Sequence, residues 1–410
     1  MKILAITAFH PPHHFGGYEL RCKDVVTGLA TAGHQVFVIT TRCSRQRCSL
    51  HPAEQDIFRV LHRKSQAASV FTQIRHDLAD MRLIDRVVNT IQPDLVYFWH
   101  LGNLSNAILP YFASRKIPMV YDEGGKGLIA AARILKRGPY FYQNSQDSKI
   151  KKQAKHVVNA LVRFLSRNRI QTTASWPDQM RLIFNSQASL QYARENDVPV
   201  QNAVVIYPGI DLNQFQFQPR TGIGGPVRIL VPGRITPIKG TRDALALYAQ
   251  LRKANIPAVL TIIGNDFSRP YYEEVETMIR ALDGGEEIAL LPMVSQEELA
   301  NLYQKNDICF FPSYQNYGLS RVPIEAMACG CLVITYGNEG SREIIQHSQS
   351  GLVIQEGDYS AASKAIIELI QNPSEYSQMT RMARLQVERH HHLASYLDAV
   401  ESFLVGVAAK

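Results

Sequence analysis

"VRILVPGRITPIKGTRDALALYAQLRKANIPAVLTIIGN", residues 227–265, decides the fold. Its ends, "VRILVPG" and "AVLTIIGN", are short apolar runs, and residues from about Gly240 to Ala254 between them carry apolar side chains at helical spacing. Strands buried on both faces are apolar throughout rather than alternating, so two such runs joined by an amphipathic helix read as parallel strands with a crossover. The pattern continues with a helix near Glu273 to Leu282, then "IALLPMV", "ELANLYQK", "DICFFPS", a helix after Ser320, and "LVITYG". We expect a doubly wound, Rossmann-like α/β domain over residues 229–387.

A second series precedes it: "KILAIT", a helix over Leu20 to Gly33, "HQVFVITT", a helical stretch, "PDLVYFW", "PMVYDE", "MRLIFNSQ" and "AVVIYPGID". Between the two series, "NQFQFQPRTGIGGP" replaces apolar periodicity with Gly, Pro and Gln, as a linker does. The expected domains are therefore 1–212 and 229–387, with a linker at 213–228 and a last helix at about 388–410 packed back on the first domain. A chain of 410 residues, 46% hydrophobic, exceeds what one core usually serves. Two such domains facing each other would hold a site in the cleft between them, at loops such as "HPPHHFGGYE", "GRITPIKG" and "SYQNYGLSR" beyond the strand ends.

No run of 18 apolar residues is present, and Met1 leads directly into strand-like sequence, so the expectation is a cytoplasmic protein. Six cysteines, Cys22, Cys43, Cys48, Cys309, Cys329 and Cys331, have neither zinc-ligand spacing nor the density of a disulfide scaffold, and are expected reduced. Two histidine clusters, His10, His13 and His14, and His390, His391 and His392, lack Cys or carboxylate partners at ligand spacing, so no metal site is expected.

The net charge of +8 is local. Between Lys126 and Arg169 lie eleven Lys or Arg and one acid, Asp147, a sum of 11 − 1 = +10 that leaves the rest of the chain at 8 − 10 = −2. From Lys149 to Arg169, apolar Ile150, Ala154, Val157, Leu161, Phe164 and Leu165 recur at helical spacing, with Lys151, Lys152, Lys155, Arg163 and Arg167 mostly elsewhere around the helix. Two readings stand: docking of 149–169 on an anionic membrane surface, or a core-packed helix with a solvated basic face. No nucleic-acid module accompanies the segment, and no nucleic-acid partner is expected.

Three segments carry chemistry. Arg234 and Lys239 lie in the loop after one strand and beside the next helix start, an arrangement suited to a diphosphate, or else an ordinary solvated loop. Gly16 and Gly17 precede the first helix, where backbone N–H groups face a phosphate or sugar, or simply turn the chain. In "FPSYQNYGLSRVPIEAMACG", residues 311–330, Glu325 interrupts small apolar residues with Arg321 one helical turn before it. That acid either accepts hydrogen bonds from a ligand or pairs with Arg321.

The ordered segments "PPHHFGGYE", "VIYPGIDLNQF", "VPGRITPIKG", "LTIIGND", "YQKNDICFFPS", "IEAMACGCLVI" and "GSREII" resemble glycosyltransferase family 4, the retaining nucleotide-sugar transferases of the GT-B fold. The resemblance covers nearly the whole chain and is strongest from Val204 to Gly357. It implies that Arg234 and Lys239 bind the donor diphosphate and stabilise it as it departs. Glu325 corresponds to the second glutamate of the family's E-x7-E motif, which holds the nucleotide ribose. Gly16 and Gly17 match the glycine loop near donor phosphate and acceptor, and Gly264 falls near the base. Gly233 and the run Tyr317, Gly318, Leu319, Ser320 and Arg321 complete the implied donor site. A pocket-lining role beside the sugar falls to Asp122 or His100, at the ends of two amino-terminal strands.

The resemblance further implies a nucleotide-sugar donor as substrate with no other cofactor, and a carbohydrate, lipid-linked or small-molecule acceptor. It fits a cytoplasmic protein peripheral at the inner face of the membrane. Two departures stand out. Eight positions before Glu325 is Tyr317, or Gln315 on a gapped count, so the first acid of E-x7-E is missing, and Glu339 stands where the family often has glycine. The missing acid keeps a non-catalytic nucleotide-sugar-binding protein in view, and a GT-B-fold epimerase is a second alternative.

Overall fold

The structure, a computed structural model, describes residues 1–13, 16–42, 56–64, 69–137, 149–167, 169–170, 176–264 and 268–409. The chain divides into two compact units. The first comprises Met1–Asn185, Ser189–Ile206 and Leu397–Lys410, and the second comprises Ser186–Ala188 and Tyr207–Tyr396. Each is built on one parallel sheet.

The first sheet contains β1 (Lys2–Ile6), β2 (Gln35–Thr41), β3 (Ile57–Leu61), β4 (Leu95–Phe98), β5 (Met119–Glu123), β6 (Met180–Phe184) and β7 (Ala203–Val205). Their order is β3-β2-β1-β4-β5-β6-β7, and every neighbouring pair is parallel. The second sheet contains β8 (Val227–Pro232), β9 (Ala258–Ile263), β10 (Ile288–Leu291), β11 (Ile308–Phe311), β12 (Leu332–Thr335) and β13 (Leu352–Val353), in the order β10-β9-β8-β11-β12-β13. It too is wholly parallel. Two strands were not read from the sequence, β3 and the two-residue β13, both at sheet edges.

The apolar runs form strands because helices cover both faces of each sheet. In the second unit the alternation of side chains is explicit. β8 sends Ile229 and Val231 into one cluster and Leu230 into the other; β11 does the same with Ile308 and Phe310 against Cys309, and β12 with Leu332 and Ile334 against Val333. Each fully buried aliphatic side chain there contributes about 1.5 to 3 kcal/mol of transfer free energy. Cys22, Cys309, Cys329 and Cys331 are buried free thiols, and burial, then Glu325 nearby, pushes Cys329 up to about 12. Cys43 and Cys48, like His14, lie outside the described residues.

In both sheets the chain winds outward in opposite directions from one point, between β1 and β4 in the first and between β8 and β11 in the second. Loops after those strands run to opposite sides and leave a crevice beyond the carboxyl ends, the place where open parallel sheets bind ligands. The loops so selected hold Gly16, Gly17 and His100 in the first unit, and Arg234, Lys239 and residues 312–320 in the second.

The last helix, Leu393–Ala408, lies against Gly17–Thr31 in the first unit from Leu397 onward. A Cβ at Gly28 would stand 2.7 Å from the Leu397 Cδ1, and the His34 Nε2 meets Glu401 at 2.9 Å.

Two glycines of the implied donor site differ in physical reason. A Cβ on Gly264 would fall inside van der Waals contact of the Gly233 carbonyl oxygen, whereas a Cβ on Gly16 would meet nothing within 4 Å. We expect Gly264→Ala to destabilise the fold by about 1 to 3 kcal/mol and Gly16→Ala to stay within about 0.5 kcal/mol, both read by thermal or denaturant unfolding. A Gly16→Ala variant of unchanged stability and reduced turnover would mark that glycine as a ligand contact.

Candidate active site

In the first unit the loop after β1 is pinned from outside: the Arg59 guanidinium donates to the carbonyls of His10 at 3.0 Å and Pro11 at 2.5 Å. Gly16 precedes the helix Gly17–Thr31, and its N–H donates to the Glu19 Oε2 at 3.1 Å. Glu19 is buried in the first turn, where the helix dipole favours a carboxylate. His100 follows β4 with its Nδ1 3.7 Å from the Glu19 Oε1, and the rings of Phe9 and Tyr18 stand 5.9 Å from the imidazole. Burial lowers the His100 pKa, which keeps the ring neutral at neutral pH. The His100 side chain is one-third exposed.

Asp122, in β5, is completely buried. Its Oδ1 accepts from the Arg21 Nη2 at 2.5 Å and its Oδ2 from the Tyr97 hydroxyl at 2.8 Å. Arg21 in turn lies 5.2 Å from the ring centres of both Tyr18 and Trp99. The neighbouring Glu123 is also buried and accepts backbone N–H groups of Gly125 and Leu128, each at 2.5 Å, at the start of the helix Gly127–Arg137. Sequence alone shows two acids at a strand end; it does not show that Arg21 and backbone amides have already engaged them.

In the second unit, β8 is followed by Gly233, whose φ of +151° suits glycine. Arg234 follows, exposed, with its Nη2 3.4 Å from the Gln315 Oε1. A short turn over Pro237–Lys239 leads into the helix Thr241–Lys253 through Gly240, φ +70°. The Lys239 Nζ donates to the Glu339 carboxylate, and the Ser313 hydroxyl donates to the same oxygen. Burial lowers the Lys239 pKa while Glu339 opposes that shift.

Glu339 is the residue that sequence reasoning noted only as a departure. It is 5% exposed and has φ +49°, a left-handed conformation that costs a side-chain-bearing residue about 1 to 2 kcal/mol. Its backbone ties two loops together: its N–H donates to the Gln315 carbonyl at 3.0 Å, and its carbonyl accepts from the Ser320 N–H at 3.3 Å. The preference for glycine at this place has a local cause, the left-handed φ. The ion pair spans one hundred residues and has no sequence signal.

Ser320 caps the helix Arg321–Cys329, its hydroxyl accepting from the Val322 N–H at 3.4 Å. Tyr317 and Ser320 are half-buried, Gly318 (φ +85°) and Leu319 buried. Within the helix, the Arg321 Nε donates to the Glu325 Oε1 at 3.2 Å, and the Tyr303 hydroxyl donates to Oε2 at 3.2 Å. Both charged side chains are buried, Arg321 at 9% and Glu325 at 3% exposure. Among the described residues no cluster of three or more His, Cys, Asp or Glu is placed to hold a metal ion. His391 is buried with its Nδ1 2.9 Å from the Pro208 carbonyl oxygen.

Two wholly parallel sheets, each with a crevice at its switch point, define the GT-B fold. Residues 15–214 match the model described as Glycosyltransferase Family 4 and residues 213–386 the model described as Glycosyl transferases group 1. The chain belongs to glycosyltransferase family 4, the retaining nucleotide-sugar transferases. It is 25% identical to the glycogen synthase of Mycobacterium tuberculosis over 94% of this chain and 89% of that protein. The crystal structure of Anabaena HepE in complex with UDP and glucose superposes with a TM-score of 0.70 at 18% identity, over 99% of both chains. The sucrose-phosphate synthase of Thermosynechococcus elongatus gives 0.75 at 17% identity, over 100% of this chain and 99% of that one.

Replacing Glu325 by Gln leaves buried Arg321 without its counter-charge. We expect Glu325→Gln to cost about 1 to 3 kcal/mol of stability, more than the few tenths typical of an exposed helical pair. Denaturant unfolding of Glu325→Gln, Arg321→Ala and the double variant checks this; additive costs would show that the two charges are uncoupled.

Proposed function

We propose that the enzyme transfers a hexosyl group from a uridine diphosphate sugar to an acceptor hydroxyl, using the second unit for the donor. The observation that carries this reading is the cation pair beyond β8: exposed Arg234 and half-buried Lys239 lie on one short loop at the switch point. The likeness to a protein crystallised with UDP and glucose supports the choice of base and sugar class.

The leaving group's charge grows as the donor bond breaks, and Arg234 and Lys239 would stabilise it. In a retaining reaction on one face, the departing diphosphate oxygen takes the acceptor's proton as the new bond forms. Gly233, Gly264 and the run from Tyr317 through Gly318, Leu319 and Ser320 to Arg321 would shape the donor site, and Glu325 would offer its remaining lone pairs to the ribose hydroxyls. In the first unit, His100 acts as a neutral hydrogen-bonding ring toward the sugar, with Gly16 and Gly17 beside it. Asp122 would act from below, holding Arg21.

The acceptor is a carbohydrate, a lipid-linked glycan or a small molecule, and the enzyme works without a metal at the cytoplasmic face of a membrane. The helix Lys149–Leu165 supports the last point. Val158 and Val162 join the core, yet Val157, Leu161, Phe164 and Leu165 are 66%, 53%, 79% and 46% exposed. An apolar face that wide, on a basic helix, is suited to an anionic lipid surface. No helix among the described residues is long and apolar enough to cross a membrane. The side chains of Lys149, Ile150, Lys151, Lys152, Ala154 and Lys155 lie outside the described residues.

Incubation with UDP-, GDP- and ADP-sugars, with release of nucleoside diphosphate as the readout, tests the donor. UDP release that depends on acceptor is the expected result, and turnover of donor to an isomer without acceptor would contradict transfer. Arg234→Ala and Lys239→Ala should each raise the barrier to turnover by ~2 to 4 kcal/mol, with a smaller loss in donor binding. Glu339 holds Lys239 in the free enzyme, so a diphosphate must compete with it. Glu339→Gln removes the competing charge and should tighten UDP binding about fivefold, measured by calorimetry, because the binding-competent lysine is then more populated. Weaker UDP binding would show instead that the carboxylate positions Lys239 for phosphate.

A further inference from the structure

The helix Val70–Ile91 places Arg82 and Arg86 one turn apart and exposed on the same face. Like charges at that spacing repel by a few tenths of a kcal/mol. Arg167 and Arg169 approach from the end of the basic helix, where the chain leaves Leu165 and turns back through Arg167 at φ +52°. With Asp85 and Leu165 these residues line a cavity of about 530 Å³.

Four guanidiniums and one carboxylate line the cavity, and that carboxylate is engaged. Asp85 accepts from the Tyr111 hydroxyl at 2.9 Å, Arg115 at 2.6 Å and the Arg169 Nε at 2.8 Å. Burial raises its pKa, but these hydrogen bonds outweigh burial and hold it below the usual carboxylate range. Among the described residues, Arg82, Arg86 and Arg167 form no ion pair. Three exposed, uncompensated guanidiniums around one hollow are suited to an oxyanion with several oxygens, which each planar fork can bind through two N–H groups.

The apolar neighbour decides which oxyanion. Leu165 lines the cavity and is also the last residue of the exposed stripe Val157, Leu161, Phe164 and Leu165. Cation pocket and apolar stripe are thus continuous, the arrangement that matches a phosphate headgroup with its hydrocarbon beside it. We infer that Arg82, Arg86, Arg167 and Arg169 form a pocket for the phosphate of an anionic membrane lipid, docking the first unit through the stripe. This inference deepens the membrane reading above and rests on it.

The full-length protein is tested by co-sedimentation with phosphatidylcholine vesicles, with and without about a third phosphatidylglycerol. Binding should require the anionic lipid and weaken as salt rises. Arg82→Ala/Arg86→Ala should weaken it about thirtyfold, the effect expected for two basic residues at a membrane surface. Lys253→Ala/Lys305→Ala, which removes the same charge from exposed helix positions of the second unit, should leave binding unchanged. Both double variants should keep the wild-type melting temperature and turnover on a soluble acceptor. Equal loss in the two variants, or none in either, overturns the pocket while leaving the helix as a docking element. Wild-type protein that does not distinguish anionic from neutral vesicles overturns pocket and membrane reading together, without touching the donor assignment. A thermal shift with inorganic phosphate that Arg82→Ala/Arg86→Ala abolishes, in the absence of any vesicle preference, would assign a soluble ligand and also overturn the lipid.

Discussion

Gly240 passes so close to the carbonyl oxygen of Pro312 that no Cβ fits between them, and its φ of +70° is itself a glycine conformation. That approach joins the loop after β8 to the loop after β11. Lys239 is the residue before the contact and Ser313 the residue after it on the other chain segment, and both donate to the same oxygen of Glu339. Parallel strands bring the loops to one end of the sheet; the glycine allows their backbones to touch. A larger residue at 240 would separate them and dissolve the three-way contact at Glu339.

Charge in this half of the enzyme is arranged by burial. Lys239 and Arg321 are each paired with a buried carboxylate, Glu339 and Glu325, as low-dielectric surroundings demand. Arg234, which is exposed, donates to the neutral amide of Gln315. Buried pairs of this kind add little to stability compared with apolar side chains of the same volume, because desolvation offsets the attraction. Their value is positional: each fixes where its cation sits. Gln315 and Tyr317 carry no charge toward this loop, while Glu339 brings one to Lys239.

The strands of both sheets were legible because parallel strands are apolar along their whole length, and the helices between them carry a 3.6-residue period. β3 escaped notice because Arg59 interrupts its apolar run, and the structural reason for that arginine, bracing the His10 and Pro11 carbonyls, lies in another loop. β13 has only two residues and no period to read. Arg234, Lys239 and Glu325 were recognisable through their places in ordered motifs. Arg321, one turn before Glu325, was in view as its partner; the partner of Lys239 was not, because Lys239 and Glu339 are remote in sequence and the backbone angle that makes Glu339 unusual leaves no trace in residue type. Asp122 shows the same limit from the other side, since the acid was visible at its strand end and the Arg21 guanidinium that covers it was not.

The helix Lys149–Leu165 separates two things that a periodic pattern combines. Its apolar residues follow one helical stripe in sequence, but the core of the first unit takes only Val158 and Val162 of the residues near its carboxyl end. Val157, Leu161 and Phe164 lie a step around the helix and remain more than half exposed. A helix that needed only to pack would have a narrower apolar face, because exposed Phe and Leu gain nothing from water and promote association. The surplus is aligned with the end of the helix where Arg167 turns back and four arginines meet. Apolar surface and positive charge are each common on proteins; their continuity through Leu165 is what gives this face a direction, with apolar side chains along the helix and guanidiniums at its end.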